Sequence, residues 1–186
     1  MSGPRPPDEA PRAEPEHAPR APGPGSRAAL AVLAFGGLGL LPVAPGTWGT
    51  CGAAALAAVF VARPAFLAPL GDWTTFAAGA ALVASALTLL LVPAIERTHG
   101  KDPGVVVTDE VAGYFATLLA VPHPTPADLV AAFFVFRLLD VVKPWPARAL
   151  ERLPSGWGVL LDDLAAAGWG AALLALTHTV ARASLR

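Results

Sequence analysis

The chain has 186 residues, of which 54% are hydrophobic and only 15% are charged. Its formal net charge of −1 gives no basis for nucleic-acid binding, and its single cysteine, Cys51, cannot form an intrachain disulfide. A soluble domain of average composition carries about 25% charged residues, so a membrane protein is the first class to consider. The length suits one folded domain.

The first residues differ in composition from everything that follows. Eight prolines lie between charges of both signs within residues 1–26. Proline at this density removes helix hydrogen bonds, and too few apolar groups are present to offset the entropy of the chain. The composition therefore predicts a disordered tail at residues 1–26 and a folded domain at residues 27–186. A polar start of this kind is not typical of a signal peptide.

Apolar stretches follow one another after the tail. They are rich in Ala, Leu and Gly without alternation of apolar and polar residues, which indicates helices. The stretches are residues 28–41, 50–62, 74–95, 105–121, 127–142 and 158–181. Residues 74–95 carry no charge and are long enough to cross a hydrocarbon core of about 30 Å. We expect an all-α fold, a compact multi-helix integral membrane bundle; the alternative is a soluble all-α domain with very apolar core helices.

Five carboxylates lie inside or at the edges of these apolar stretches. A charge at the centre of a bilayer costs roughly 2.5–3.5 kcal/mol even on the lenient insertion scale, so each of the five needs a partner. A divalent cation is a sufficient partner, because Mg²⁺ prefers oxygen ligands. The five residues are Asp109, Glu110, Asp140, Asp162 and Asp163.

One segment combines a carboxylate with two cations. Arg137, Asp140 and Lys143 are spaced three apart, so on a helix they share one side, and Pro144 then ends the helix at Lys143. Arg137 is suited to bidentate phosphate binding, and Lys143 supplies a compact positive charge. The alternative is an ion-pair ladder without chemistry.

The remaining acids come as adjacent pairs. Asp109 and Glu110 point about 100° apart on a helix, so we expect only one to bind a metal while the other orients water or a neighbouring group. The alternative places both in a first helical turn, where acids complement the helix dipole. Asp162 and Asp163 repel each other unless a cation lies close, although a helix start is again the alternative.

A polar break at residues 42–50 separates two apolar stretches. Gly46 and Gly49 allow backbone amides to approach an anion, and Thr47 and Thr50 offer hydroxyl groups. Such a break is tolerated at membrane depth when it is buried or lines a cavity. Gly46, Thr47 and Thr50 are therefore candidates for substrate binding, and a simple turn between two helices is the alternative.

Together these segments resemble the phosphatidylglycerophosphatase A family. The resemblance rests on four motifs in order: Ala-Pro-Gly-Thr-Trp-Gly-Thr at 44–50, Asp-Pro-Gly followed by Asp-Glu at 102–113, the Phe-Arg-x-x-Asp-x-x-Lys-Pro-Trp-Pro segment at 136–146, and Gly-x-x-x-Asp-Asp at 158–163. It implies an all-helical fold and Mg²⁺-dependent hydrolysis of phosphatidylglycerophosphate at a bacterial inner membrane, with a multi-pass chain and an active site facing the cytoplasm. Thr108 departs from the bulky residue that relatives often have, and the tail has no counterpart.

A metal-assisted hydrolysis of a phosphate monoester is our hypothesis for the roles of the charged residues. Asp109, Glu110, Asp140 and Asp162 would hold Mg²⁺, Asp163 would act as general base, and Arg137 and Lys143 would neutralise the phosphate. A covalent aspartyl-phosphate route and the number of metal ions stay open. The alternative function is a small membrane transporter of cations or protons that uses the same carboxylates. The Asp-Gly-x-x-Ala-Arg motif of lipid phosphotransferases is absent, and the sequence does not indicate an oligomeric state.

Overall fold

A computed structural model describes residues 24–62, 65–100 and 103–184, and every regular element in these ranges is helical. The predicted all-α fold is confirmed. Seven α-helices follow in chain order: α1 (Pro24–Leu33), α2 (Pro45–Val61), α3 (Trp73–His99), α4 (Thr108–Leu118), α5 (Pro126–Val142), α6 (Ala147–Leu150) and α7 (Gly156–Ser184). Short 3₁₀ segments at Leu38–Leu40 and Ala65–Leu70 connect the first three.

The predicted tail lies almost entirely outside the described residues. The described chain begins at residue 24, and α1 begins there as well, so residues 24–26 form a helical turn.

Two predicted boundaries were wrong. The polar break was expected to extend to residue 50, but α2 begins at Pro45, because proline at the first helical position has a backbone angle that already suits a helix. The stretch at 105–121 was expected to be one helix, but α4 begins only at Thr108. Residues 105–107 are not helical, and the Val107 N–H donates to the carbonyl oxygen of Leu33 at 2.9 Å.

Side-chain caps define other helix ends as local sequence rules expect. The Asp72 carboxylate accepts a hydrogen bond from the Thr75 N–H at 2.8 Å and caps α3. Thr125 and Asp128 form a reciprocal capping box at the start of α5. The helix α5 ends shortly before Pro144, which cannot continue it.

The short helix α4 lies at the centre of the bundle. Nine of its eleven residues are buried, and it contacts α2, α3, α5 and α7. Gly113 makes two of these approaches possible: a Cβ atom there would collide with the ring of Phe136 on α5 and lie 3.3 Å from the carbonyl oxygen of Asp163 on α7. The first turn of α4, with its two acids, is thereby held against both neighbouring helices.

We expect Gly113→Ala to lower the free energy of unfolding by about 1–3 kcal/mol, because an added methyl overpacks a filled interface. Thermal unfolding in detergent, followed by circular dichroism, measures the effect. Gly168→Ala is the matched control, since a Cβ at Gly168 has no neighbour within 4 Å. Equal unfolding temperatures for the two variants would contradict the packing assigned to Gly113.

An aromatic cluster joins α2, α3 and α4 away from the acids. Phe60 and Phe76 stack with ring centroids 4.0 Å apart, and Phe76 meets Phe115 edge to face at 5.6 Å. Trp73 packs beside all three rings. Aromatic pairs in these geometries add about 0.5–1.5 kcal/mol beyond the area that they bury. This part of the bundle is therefore a packed core, and the polar groups lie at the other end of α4.

The exterior of the bundle is strongly apolar. Among the described helices, Trp73–Glu96 within α3 and Gly156–Ser184 are long and apolar enough to cross a membrane, a criterion that core helices of soluble proteins also meet. Large apolar side chains nevertheless face outward on these helices and on α5: Leu82, Val83, Leu90, Phe134, Leu138, Val141, Leu173, Leu176 and Val180. An exposed apolar surface of this extent suits membrane association.

Candidate active site

Three carboxylates from two helices meet at one point. Asp109 and Glu110 lie in the first turn of α4 and Asp163 in the first half of α7, and one oxygen atom from each lies within 4.8 Å of the others. Asp109 and Asp163 are only 8% and 4% exposed. Each of the three residues has a buried oxygen without a hydrogen-bond partner among the described residues. We refer to Asp109, Glu110 and Asp163 as the carboxylate cluster.

The carboxylate cluster fits a divalent cation. Buried carboxylates that face one another repel strongly, and their unpartnered oxygens cannot be solvated by bulk water. Mg²⁺ takes oxygen ligands, commonly including one or two carboxylates, so it would satisfy these atoms and offset the repulsion.

The expectation that Asp109 and Glu110 cannot face one site together was wrong. The angle of about 100° separates their Cα–Cβ directions, not the ends of their side chains. The longer side chain of Glu110 lets its carboxylate reach the same point as that of Asp109.

A guanidinium group lies directly beside the carboxylate cluster. Arg137 Nη1 on α5 lies 2.5 Å from Asp140 Oδ2 and 3.7 Å from Glu110 Oε1. Their spacing placed Arg137 and Asp140 on one side of α5, and the two residues form an ion pair there. Because Arg137 also lies close to Glu110, the ion pair adjoins the cluster. Arg137 is partly buried, and these contacts hold the guanidinium in one place.

Lys143 takes a different direction from the one predicted. Its backbone has φ 49°, in the left-handed region, so the residue leaves the helical line of Arg137 and Asp140. Lys143 Nζ instead lies 2.6 Å from Asp162 Oδ2 on α7 and 3.0 Å from Glu151 Oε1. Burial lowers the pKa of the Lys143 ammonium, but hydrogen bonds and charges of Asp162 and Glu151 outweigh burial and raise this pKa above its usual range. Lys143 is therefore charged at neutral pH.

The structure separates the predicted carboxylates into two kinds. Asp140 and Asp162, both predicted as metal ligands, each pair with a cation. Asp163, predicted as general base, belongs to the carboxylate cluster. Glu151 was not singled out from the sequence, since it lies at a junction between stretches where a charge needs no explanation. The turn after α5 and the short helix α6 together bring Glu151 back to Lys143.

The start of α2 also reaches the carboxylate cluster. A Cβ atom on Gly46 would collide with Glu110 Oε1 and lie 3.1 Å from Arg137 Nη1. A helix start carries partial positive charge, which favours an anion there. Thr47 is half-buried in the same turn. Thr50 is fully buried and donates its hydroxyl hydrogen to the Gly46 carbonyl oxygen at 2.9 Å, so this hydroxyl stabilises α2 itself.

A second polar contact lies at the opposite end of α5. His178 Nε2 is 2.8 Å from Asp128 Oδ1 and links α7 to the start of α5. Burial raises the pKa of Asp128, but hydrogen bonds from Thr125 and His178 outweigh it and hold this pKa below its usual range. Twelve residues along α5, about 18 Å, separate Asp128 from Asp140. The contact is therefore structural.

We expect Lys143→Met to lower the free energy of unfolding by about 1–3 kcal/mol, because Asp162 is left buried without its cation. The raised pKa of Lys143 gives the sign of the pH dependence: the contribution is full below the ordinary lysine pKa and is lost as pH rises through the raised value. Chemical denaturation at pH 7 measures the effect. Glu151→Gln is the control, since Glu151 is 44% exposed; an equal loss in both variants would contradict the buried pair.

Comparison with known proteins places these residues in a family. Residues 31–178 match the family described as phosphatidylglycerophosphatase A. The chain is 42% identical over 67 residues to phosphatidylglycerophosphatase A of Haemophilus influenzae, which covers 36% of this chain and 41% of the relative. It is 39% identical over 74 residues to phosphatidylglycerophosphatase A of Escherichia coli K12, covering 39% and 43%.

A further relative has a different name. The chain is 39% identical over 88 residues to a protein of Bacteroides thetaiotaomicron that is provisionally named a phosphatidylinositol-3-phosphatase, covering 46% of this chain and 55% of the relative. The chain thus matches about half the length of its curated relatives. No solved structure gives a significant match. Because the family match includes the carboxylate cluster, Arg137 and Lys143, the chain belongs to the phosphatidylglycerophosphatase A family.

Proposed function

We propose that the protein is a Mg²⁺-dependent lipid phosphatase that hydrolyses phosphatidylglycerophosphate to phosphatidylglycerol and phosphate. The observation that carries the proposal is the carboxylate cluster, with its unpartnered buried oxygens, beside Arg137 in a chain of this family. Two relatives bear the name of this activity. The third is named for a phosphatase of another phospholipid, which is the same class of reaction.

The carboxylate cluster is the proposed metal site. Asp109 and Glu110 would hold Mg²⁺, together with one oxygen of Asp163. Mg²⁺ bound there supplies Lewis-acid polarisation of the phosphoryl oxygens and a lower pKa for a bound water. Asp140 and Asp162 would support the site from outside, since each pairs with a cation.

The phosphate group of the substrate is proposed to lie between Arg137 and the start of α2. Arg137 can donate two parallel hydrogen bonds to phosphate oxygens, and its contacts to Glu110 and Asp140 orient it beforehand. Gly46 leaves the space beside the guanidinium that a larger residue would fill. Lys143 adds a second positive charge, which favours the charge that develops on the phosphate during reaction.

Asp163 is proposed to accept the proton of the attacking water. The water oxygen forms a bond to phosphorus, the ester P–O bond breaks, and the alcohol of the lipid leaves. Asp163 is buried next to the other cluster residues, so its carboxylate lies where that water would be held. An aspartyl-phosphate intermediate would instead need one aspartate oxygen to bond directly to phosphorus.

The surroundings of the site are proposed to be a lipid bilayer. The outward apolar side chains of α3, α5 and α7 support contact with hydrocarbon, and the named relatives come from bacteria. We therefore propose a multi-pass protein of the bacterial inner membrane whose site faces the cytoplasm. The transporter alternative is less suited to the site, because the fixed charges of Arg137 and Lys143 would repel a passing cation.

Phosphate release from a panel of lipids tests the substrate. The purified protein in detergent is given phosphatidylglycerophosphate, phosphatidic acid and phosphatidylinositol 3-phosphate at equal surface fractions with Mg²⁺. We expect the highest kcat/KM for phosphatidylglycerophosphate. A higher kcat/KM for either of the other two lipids would make that lipid the substrate. If folded protein released phosphate from none of the three lipids, the result would favour the transporter.

A further inference from the structure

Two apolar grooves of similar size lie on either side of α2. The first has a volume of about 470 Å³ and is formed by α1, α2, α3 and α4. The second has a volume of about 450 Å³ and is formed by α2 and α5 with Pro126 at its far end. Both volumes fall within the usual range of about 300–1,000 Å³ for small-molecule sites.

The first groove is lined by one residue that is adjacent in the chain to the carboxylate cluster. Thr108, the residue immediately before Asp109, forms its inner end, and Val111 and Phe115 continue the wall along α4. The eight residues from Thr108 to Phe115 extend about 10 Å along the helix axis, toward the middle of the bundle. The groove therefore follows α4 away from its first turn, between apolar side chains.

The one polar residue at this inner end has its hydroxyl satisfied. The hydroxyl oxygens of Thr108 and Thr88 lie 2.7 Å apart, and Thr88 donates to the carbonyl oxygen of Ala84. Thr108 is thus left to donate to Thr88. Because both hydroxyl groups already have partners, neither threonine needs a polar ligand. The remaining wall residues are apolar and suit an apolar ligand.

The second groove also begins within one helical turn of the site. Cys51 on α2 lies four residues after Thr47, and Phe134 on α5 lies three residues before Arg137. From there the groove follows α2 to Ala58, again about 10 Å along the axis. It too leads away from the charged site between apolar side chains.

We propose that each groove holds one acyl chain of the substrate while its phosphate lies at the carboxylate cluster. This inference rests on the proposed function and specifies where the two acyl chains of its substrate bind. Three features support this occupant: each groove is lined by a residue within about one helical turn of a residue of the charged site, both grooves follow the helix axes, and their volumes are nearly equal. A water-soluble phosphate monoester would use neither groove, and a single-chain lipid only one.

Filling each groove separately tests the assignment. Ala80→Phe places a ring in the first groove and Ala55→Phe places one in the second. Ala172→Phe is the matched control, because Ala172 is exposed on α7 and lines neither groove. Phosphate release is measured with dioleoyl and dihexanoyl phosphatidylglycerophosphate in the same detergent. Circular dichroism confirms that each variant is folded.

We expect each groove variant to raise KM for the dioleoyl lipid about tenfold, because part of a chain loses its apolar contact. The kcat for this lipid and both constants for the dihexanoyl lipid should stay unchanged, and the control should match the wild type. An equal rise for both lipids, or no rise in either groove variant, would overturn the proposal. A rise in only one groove variant would overturn the assignment of two chains.

A second experiment does not depend on turnover. Phosphatidic acid with a photoreactive diazirine in one acyl chain is crosslinked to the wild type in EDTA, and labelled peptides are identified by mass spectrometry. Labels concentrated on α2, α4 and α5, and reduced in the filled variants, would support the grooves even if no lipid were hydrolysed. Labels spread evenly onto α7, or crosslinks between two copies of the chain across a groove, would overturn them. Hydrolysis of lipid without labelling of the grooves would contradict this inference but not the proposed function.

Discussion

Replacing Asp163 by asparagine is expected to lower kcat for phosphatidylglycerophosphate by about 10³-fold. The asparagine side chain has the same shape but no charge, so the carboxylate cluster loses both a ligand for a cation and an acceptor for the proton of water. Folding should be preserved, since the substitution removes like-charge repulsion among buried carboxylates. Steady-state phosphate release measures kcat, and thermal unfolding in detergent reports the fold.

Asp128→Asn is the matched control for this prediction. Asp128 is also an aspartate of the bundle with a side-chain partner, but it belongs to the contact with His178 at the other end of α5. We expect it to keep its activity within about twofold of the wild type and to lose some stability through its cap. Comparable activity in Asp163→Asn and the wild type would remove the carboxylate cluster from the mechanism.

Gly46→Ala is expected to lower kcat/KM by about 10²-fold, because small displacements of catalytic groups have effects of this size. The added methyl group would occupy the position of Glu110 Oε1 and press on Arg137. Both side chains would then have to move away from the start of α2. The substitution favours the helix in itself, so the loss should appear in activity much more than in the unfolding temperature.

Gly79→Ala provides the comparison for Gly46→Ala. Gly79 also lies in an α-helix, and a Cβ atom there would meet nothing within 4 Å. We expect unchanged activity for Gly79→Ala in the same phosphate-release assay. If Gly46→Ala were as active as Gly79→Ala, the close approach of α2 to Glu110 and Arg137 would have no role in the reaction.

Much of the fold follows from the local sequence. Residues 74–95 are uncharged and apolar, and α3 covers them completely. Pro144 and Thr125 define the ends of α5 by rules that involve only neighbouring residues. The charged candidates were also recognisable, because a carboxylate in an apolar stretch needs a partner wherever the chain folds.

The partners of Lys143 could not be predicted from spacing. The interaction of Lys143 with Asp162 joins residues on α5 and α7 and depends on the left-handed backbone of Lys143. The expectation for Lys143 assumed that it continues the helical line from Arg137. Gly46 was predicted to bind an anion through its amide, but the lack of a side chain also leaves room for Glu110, which only the packed structure shows. Tertiary contacts, not periodicity, determine these pairings.

The most direct test of the account is phosphate release from phosphatidylglycerophosphate by purified protein in detergent, first with Mg²⁺, then with excess EDTA, and then with Mg²⁺ restored. We predict release with Mg²⁺, loss of release with EDTA, and recovery on restoration, because the unpartnered oxygens of Asp109, Glu110 and Asp163 would hold the cation. Asp163→Asn should stay inactive throughout. Equal release in Mg²⁺ and in EDTA would contradict a metal-dependent carboxylate cluster.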